Sequence, residues 1–139
     1  MGQTELENLV RIGQLKTEAR NALEITRMLA MAQTRLHDAR LSGLSLEGRF
    51  TSAYNAAHGG ALVALRWHGY RSDNRYIVFQ CLMHTLAWPA NRWRVLDAAH
   101  QKRNLAEYEG YLEVEPSSVN ELCDVVEALL ADVQALIGK

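Results

Sequence analysis

The sequence predicts an all-α protein, folded as an antiparallel bundle of four to five helices. Apolar residues recur every three or four positions in several long segments, and no segment alternates convincingly as a strand would. The chain also has only 2 Pro and 9 Gly. Its 139 residues are 48% hydrophobic, which suits a single domain over residues 1–139 whose core needs neither disulfides nor metal to fold.

Two helices are predicted in the first part of the chain. Thr4 and Glu7 form a capping-box pattern, Thr-x-x-Glu, which opens a short first helix. Apolar and small residues from Leu15 to Leu36 alternate spacings of four and three, the pattern of a long amphipathic helix. This second helix is expected to end near Gly43.

A third helix is predicted from about residue 46 to residue 68. Ser45 precedes it and is a good capping residue, and a glycine follows it. Gly59 and Gly60 lie inside this helix, where each glycine costs about 1 kcal/mol relative to alanine. The pair therefore indicates close approach to a neighbouring helix or a kink, and close packing is the simpler interpretation.

Residues 76–86 are compatible with a strand by propensity but follow a helical spacing. The apolar residues Val78, Leu82 and Leu86 recur every four positions, and no second strand is evident to pair with the segment. We therefore predict a buried helix, ended by Pro89.

The last third of the chain predicts two more helices. One runs from about residue 90 to residue 108, with Gly110 as its terminating glycine. Ser118 and Glu121 form a second capping-box pattern that opens the last helix. Its apolar seam consists of Leu122, Val126, Leu129, Val133 and Leu136.

Several features predict a cytoplasmic protein without a membrane partner. The N-terminal residues include acids where a secretion signal has Lys or Arg, and no apolar run follows. The longest uncharged stretch, residues 76–91, is shorter than the ~20 apolar residues of a bilayer span. Cys81 and Cys123 lie far apart and are expected to be reduced thiols. The five His residues lack ligand-pair spacing, so no metal and no cofactor is predicted.

The net charge of −1 combines two segments of opposite charge. Residues 1–103 hold 14 Lys and Arg against 8 Asp and Glu, a balance of +6, whereas residues 104–139 hold 1 against 8, a balance of −7. The basic segment is compatible with a nucleic-acid partner. Alternatively, the acidic segment neutralises it within the fold or across a dimer.

The helix predicted over residues 90–108 changes character along one face. Its packing stripe continues as His100, Arg103 and Glu107, with Asn104 and Tyr108 beside it. An imidazole, a guanidinium, an amide and a phenol on one side are groups that hold and protonate a phosphate. The simpler alternative is a solvated helix end with an exposed ion pair four residues apart.

These residues resemble a known motif. The segment is Arg103-Asn104-Leu105-Ala106-Glu107-Tyr108. It resembles the Arg-Asn-x-x-x-His/Tyr region of the higher eukaryotes and prokaryotes nucleotide-binding (HEPN) domains. Residues 50–70 and 74–86 are similar to the helices that precede this motif in small bacterial HEPN proteins. The resemblance thus covers most of the chain and implies a HEPN-like bundle.

The resemblance implies a homodimer in which paired motifs line a basic cleft. Many members are metal-independent ribonucleases or toxins, some with a nucleotidyltransferase-type antitoxin as partner. By this resemblance Arg103 stabilises phosphate charge and Asn104 orients it, whereas Tyr108 occupies the position of the family's His. Because a phenol with a pKa near ~10 is a poor base at neutral pH, we hypothesise that His100 replaces that His.

Four further basic residues are candidates for RNA binding. They are Arg75, Arg92, Arg94 and Lys102, and Trp and Tyr residues lie among them. Interleaved aromatic rings and cations stack on bases and neutralise phosphates. The alternative is that the aromatic residues are core or interface anchors.

Two functions remain open from the sequence. One is a HEPN-like RNA-binding protein that acts as a metal-independent endoribonuclease of a toxin–antitoxin or defence system. The other is a catalytically silent HEPN-like dimeric module that binds a partner protein or a nucleotide.

Overall fold

Helices form most of the chain in this computed structural model, which describes residues 2–138, and the predicted all-α class is confirmed. Residues 1 and 139 of the predicted domain lie outside the described range. Within it, five helices have ten or more residues, and two short helices and two short strands lie between them. The elements are α1 (Gly2–Arg11), β1 (Lys16–Thr17), α2 (Ala22–Ala39), α3 (Leu46–Trp67), β2 (Tyr70–Arg71), α4 (Arg75–Gln80), α5 (Leu82–Thr85), α6 (Ala90–Glu109) and α7 (Pro116–Ile137). No helix in residues 2–138 is long and apolar enough to span a bilayer.

The long helices alternate in direction along the chain. The short connection over residues 40–45 turns the chain back, so that α2 and α3 pack antiparallel. Between α2 and α7, Gln33 contacts Gln134 at 3.3 Å and Arg40 contacts Glu127 at 3.0 Å, which shows that these helices are antiparallel too. Consequently α3 and α7 run in the same direction.

Helix α3 is the centre of the core, and two glycines let other helices approach it. A Cβ atom at Gly60 would lie 2.6 Å from Cδ2 of Leu130 on α7, well inside contact distance. A Cβ atom at Gly59 would lie 3.3 Å from Cβ of Ala32 on α2. The predicted close approach at this pair is confirmed.

Local signals placed several helix ends correctly. The Ser45 side chain accepts a hydrogen bond from the Gly48 amide at 3.0 Å and caps α3, as predicted. Asn74 caps α4 by accepting from the Ile77 amide at 3.1 Å. Gly110 ends α6 in the left-handed conformation, with φ of 82°.

The predicted second helix begins seven residues later than expected. The prediction of helix from Leu15 is wrong, because α2 starts only at Ala22 and the chain before it is extended. There β1 and β2 pair antiparallel as a two-stranded sheet, which the sequence did not predict. In its register Lys16 lies opposite Arg71, and Thr17 lies opposite Tyr70.

A buried arginine explains this extended segment. The Arg66 guanidinium is 1% exposed and donates to the carbonyl oxygens of Glu18 at 2.8 Å and Ala19 at 2.7 Å. In a continuous helix those carbonyls would accept from amides four residues later. Arg66 also binds Glu24 at 2.8 Å, and Arg71 bridges Glu18 and Glu24. The ionic network thus holds the segment against α3.

The two predicted capping boxes lie inside helices. Thr4 is within α1, which begins at Gly2, and Ser118 is within α7, which begins at Pro116. Proline suits the first turn of α7 because it lacks an amide proton there and its φ is helical already. Both predictions therefore found the right helix but placed its start too late.

The segment predicted as a buried helix over residues 76–86 is helical but interrupted. It forms α4 and α5, with Cys81 between them. Cys81 and Cys123 are both buried and free, in keeping with the prediction of reduced thiols. Burial raises the pKa of the Cys81 thiol to about 12, so it remains protonated at neutral pH.

Candidate nucleic-acid interface

Helix α6 passes from a packing face to a polar one, as its sequence predicted. Leu96 and Ala99 are buried and anchor its N-terminal half. One turn later the same face carries His100 and Arg103, whose side chains are half-buried. The polar side chains of His100 and Arg103 therefore lie at the edge of the core.

His100 is held by hydrogen bonds at both ring nitrogens. Its Nδ1 lies 3.0 Å from the hydroxyl of Tyr54, and its Nε2 lies 3.2 Å from the amide nitrogen Nδ2 of Asn104. Because an amide nitrogen only donates, Nε2 accepts and Nδ1 carries the proton. Tyr54 is fully buried on α3, whereas Asn104 is exposed. Tyr54 therefore fixes the imidazole ring from the core, and the lone pair of Nε2 faces the protein surface.

A buried aromatic ring of α4 supports this arrangement. Phe79 packs edge-on against His100, with ring centroids 6.2 Å apart, and against Tyr54 at 5.9 Å. His58 on α3 packs edge-on against the same ring at 6.1 Å. His58 of α3 and His100 of α6 therefore both pack against the Phe79 ring.

Two arginines from different helices lie beside the buried Tyr54. The Arg75 Cζ atom of α4 is 5.5 Å from the centroid of the Tyr54 ring, and the Arg103 Cζ atom of α6 is 5.3 Å from it. Nη1 of Arg75 is buried and has no hydrogen-bond partner in residues 2–138. A buried, unsatisfied donor on a cation is costly unless an acceptor reaches it. The two guanidinium groups concentrate positive charge beside Tyr54.

Both histidines are held in the neutral form at pH 7. Burial, together with the charges of Arg75, His100 and Arg103, lowers the pKa of His58 to about 4. Burial also lowers the pKa of His100. The Asp97 carboxylate opposes that effect, while Arg75 and Arg103 add to it. A neutral imidazole can accept a proton, which a protonated one cannot.

The cluster of Tyr54, His58, Arg75, His100 and Arg103 therefore combines two kinds of chemistry. Guanidinium groups can bind a phosphate and stabilise its charge. The Nε2 lone pair of His100 can take a proton from a hydroxyl group. In residues 2–138, no group of three or more His, Cys, Asp or Glu side chains is placed to hold a metal ion.

The alternative interpretation, a solvated helix end with an exposed ion pair, also has structural support. Nη1 of Arg103 lies 3.0 Å from Oε1 of Glu107, four residues later. Glu107 is mostly exposed, with 62% of its side-chain surface accessible, so the pair is solvated. Such pairs contribute at most about 0.5 kcal/mol to stability.

Tyr108 is not part of the cluster. It is 91% exposed, and along an ideal helix it lies about 140° around the axis from Arg103. On the same ideal helix Tyr108 lies about 80° from His100 and about 40° from Asn104, so its place in the site stays a prediction.

The four predicted RNA-binding residues separate into different regions. Arg75 joins the cluster. Arg94 and Lys102 line a groove between α6 and α7, on the opposite flank of α6 from His100. Arg92 lies 5.5 Å over the Trp88 ring, near the N-terminal end of α6, and faces Asp132 at 3.8 Å.

Sequence reasoning missed the buried side of the site. Tyr54 and Phe79 hold His100, and neither is among the site residues that the sequence predicted. The one available signal is that Tyr54 and His58 are four residues apart, so two polar-tipped rings share the buried face of α3.

Comparison with known proteins adds no further identification. No protein-family model matches the chain, and no curated protein or solved structure matches it either.

Proposed function

We propose that this protein is a HEPN-like RNA-binding protein that acts as a metal-independent endoribonuclease of a toxin–antitoxin or defence system. One observation carries the proposal: neutral His100 is fixed between Tyr54 and Asn104, with the guanidinium groups of Arg75 and Arg103 beside it. This combination of a proton acceptor and two cations is what cleavage through the RNA 2′-hydroxyl requires.

In the proposed reaction, Nε2 of His100 takes the proton of a ribose 2′-hydroxyl. The resulting oxygen nucleophile attacks the adjacent phosphorus, the bond from phosphorus to the 5′-oxygen breaks, and a 2′,3′-cyclic phosphate forms. The departing 5′-oxygen takes a proton from water, and the hydroxide left behind takes the proton from His100, which restores the neutral imidazole. Arg103 and Arg75 stabilise the negative charge that builds up on the phosphoryl oxygens. Asn104 is exposed and can turn aside, which frees Nε2 for the substrate.

The proposed assembly is a homodimer with a basic surface. Residues 66–103 hold 7 Lys and Arg against 2 Asp and Glu, and two copies would strengthen the resulting field. Leu105 and Tyr108 are large, exposed side chains on the outer face of α6, which supports contact with a second copy there. A nucleotidyltransferase-type antitoxin or another protein is the proposed partner.

The second candidate is a catalytically silent dimeric module that binds a partner protein or a nucleotide. Two observations favour it: Glu107 already pairs with Arg103, and Tyr108, at the position where the resemblance has a His, is 91% exposed. In this case the cluster binds an anion without transferring a proton.

The test is cleavage of a labelled single-stranded RNA by the purified protein in the presence of EDTA. We expect products that end in a 2′,3′-cyclic phosphate, and a loss of about 100-fold or more in His100→Ala and Arg103→Ala. Arg27→Ala is the matched control, because it removes an exposed cation of α2 that lies outside the cluster.

Three outcomes separate the candidates. Cleavage that depends on His100 and Arg103 supports the endoribonuclease. Cleavage that is equal in all four proteins comes from a contaminant and contradicts it. RNA binding that depends on Arg103, without any cleavage, favours the silent module.

A further inference from the structure

A groove between α2 and α3 adjoins the His100 cluster and is not used by the proposed reaction. It encloses about 370 Å³, within the size range of ligand pockets. Its lining includes Met28, Met31, Arg35, Asn55 and His58.

The lining of this groove suits a flat, polar-edged ring. Met28 and Met31 present flexible thioether side chains, which make favourable contacts with aromatic systems. Met31 is 61% exposed, which is unusual for a large apolar side chain. Asn55 is exposed and offers one donor and one acceptor, and Arg35 adds a cation at the same groove.

His58 is shared by the groove and the His100 cluster. It lines the groove, and its ring packs against Phe79, which also supports His100. His58 also lies close enough to Arg75 and Arg103 for their charges to lower its pKa. The groove and the two guanidinium groups are therefore neighbours in the fold.

We infer that this groove is the subsite for an adenine base of the RNA strand whose phosphate lies between Arg75 and Arg103. The inference rests on the proposed function. The two edges of the Asn55 amide match the amino donor and the ring acceptor of adenine, a common bidentate pairing. Among bases, a purine also offers the larger face to the methionine side chains.

The test measures binding of single-stranded, 2′-O-methylated oligonucleotides, which cannot be cleaved by attack of the 2′-oxygen. Oligomers of adenine or uracil, about 12 nucleotides long, are titrated with the protein and followed by fluorescence anisotropy. We expect the adenine oligomer to bind about tenfold more tightly. Asn55→Ala and Met31→Ser should each reduce that preference to about twofold or less, with binding of the uracil oligomer unchanged.

Leu23→Ser is the matched control for Met31→Ser. Both residues are large, apolar and exposed on α2, but Leu23 lies outside the groove. The control should therefore retain the adenine preference. All three substituted residues are exposed, so the variants are expected to fold, which circular dichroism checks.

Equal affinity for both oligomers, or a preference that survives Asn55→Ala and Met31→Ser, would overturn the adenine subsite. The proposed function would stand in that case if Arg103→Ala weakened both oligomers alike. Absence of binding to either oligomer would instead overturn the proposed function. In that case the NMR signal of the Met31 methyl group tests the adenine subsite separately. A shift of this signal with adenosine but not with uridine supports the subsite, and no shift overturns it.

Discussion

The Tyr54 hydroxyl lies 3.0 Å from Nδ1 of His100, so a buried residue of α3 orients the ring that α6 presents. Tyr54→Phe removes this contact and little else. We expect a loss of about 1 kcal/mol in the free energy of unfolding. For RNA cleavage we expect kcat to fall by about tenfold with KM unchanged, because the ring loses its orientation but the arginines remain. An unchanged kcat would show that Tyr54 does not position His100.

Protonation of His58 should destabilise the fold in acid. Its pKa is lowered from 6.5 to about 4, so between these values the unfolded chain binds a proton that the folded chain excludes. The contribution of neutral, buried His58 to the free energy of unfolding is therefore fully present above about pH 6.5, and it is lost as the pH falls toward 4. The loss is about 3 kcal/mol for His58, and His100 and His68 shift in the same direction.

Urea denaturation at several pH values measures this effect. His58→Gln cannot take up the proton, so its free energy of unfolding should vary less between pH 7 and pH 4 than that of the parent protein. Parallel pH curves for the two proteins would contradict the assignment.

Arg66 should be the most stabilising charged residue of the fold. It is 1% exposed, and its replacement by Met leaves Oε1 of Glu24 and two backbone carbonyls without this donor. We expect Arg66→Met to lose about 3 kcal/mol in urea denaturation. The control is Arg40→Met, because Arg40 pairs with two acids at the surface and should lose less than about 1 kcal/mol. Similar losses in both variants would count against the ionic network.

The two flanks of α6 should contribute differently to RNA binding. Arg75→Gln removes a cation of the His100 cluster and should reduce by about one the slope of log affinity against log salt concentration. Arg94→Gln removes a cation of the groove between α6 and α7 and should leave that slope nearly unchanged. Titrations of a labelled RNA at several salt concentrations measure the slope for each of the two variants. A larger effect of Arg94→Gln would place the RNA on the opposite flank.

A histidine at position 108 should not help catalysis. Tyr108 is 91% exposed and points away from Arg103, so the imidazole of Tyr108→His would lie outside the cluster. We expect cleavage rates within about twofold of the parent protein, with His100→Ala still inactive. If Tyr108→His instead rescued His100→Ala, position 108 would have to reach the substrate.

The sequence predicted those helix ends that depend on local contacts. Ser45 and Gly110 act on amides and carbonyls within their own turn, so their spacing to the helix is visible in the sequence. The start of α2 is different. It depends on Arg66, which binds backbone carbonyls 47 and 48 residues earlier in the chain, and no local pattern reveals such a contact.

The candidate site divides in the same way. His100 and Arg103 were found because they continue the three- and four-residue spacing of one helix. Tyr54 contacts His100 across 46 residues and was missed. Arg75 was selected for its charge alone, and its place beside Tyr54 became evident only from the packing of α4 against α6.

On the proposed function, the ion pair between Arg103 and Glu107 makes phosphate binding an exchange of anions. The Glu107 carboxylate occupies the Arg103 guanidinium until a phosphate displaces it. A single free phosphate gains little from that exchange, since it replaces one charged partner with another. A polymer gains more, because its neighbouring phosphates bind other cations at the same time. Because the exposed pair contributes at most about 0.5 kcal/mol, the preference for strands over mononucleotides that it adds is about twofold.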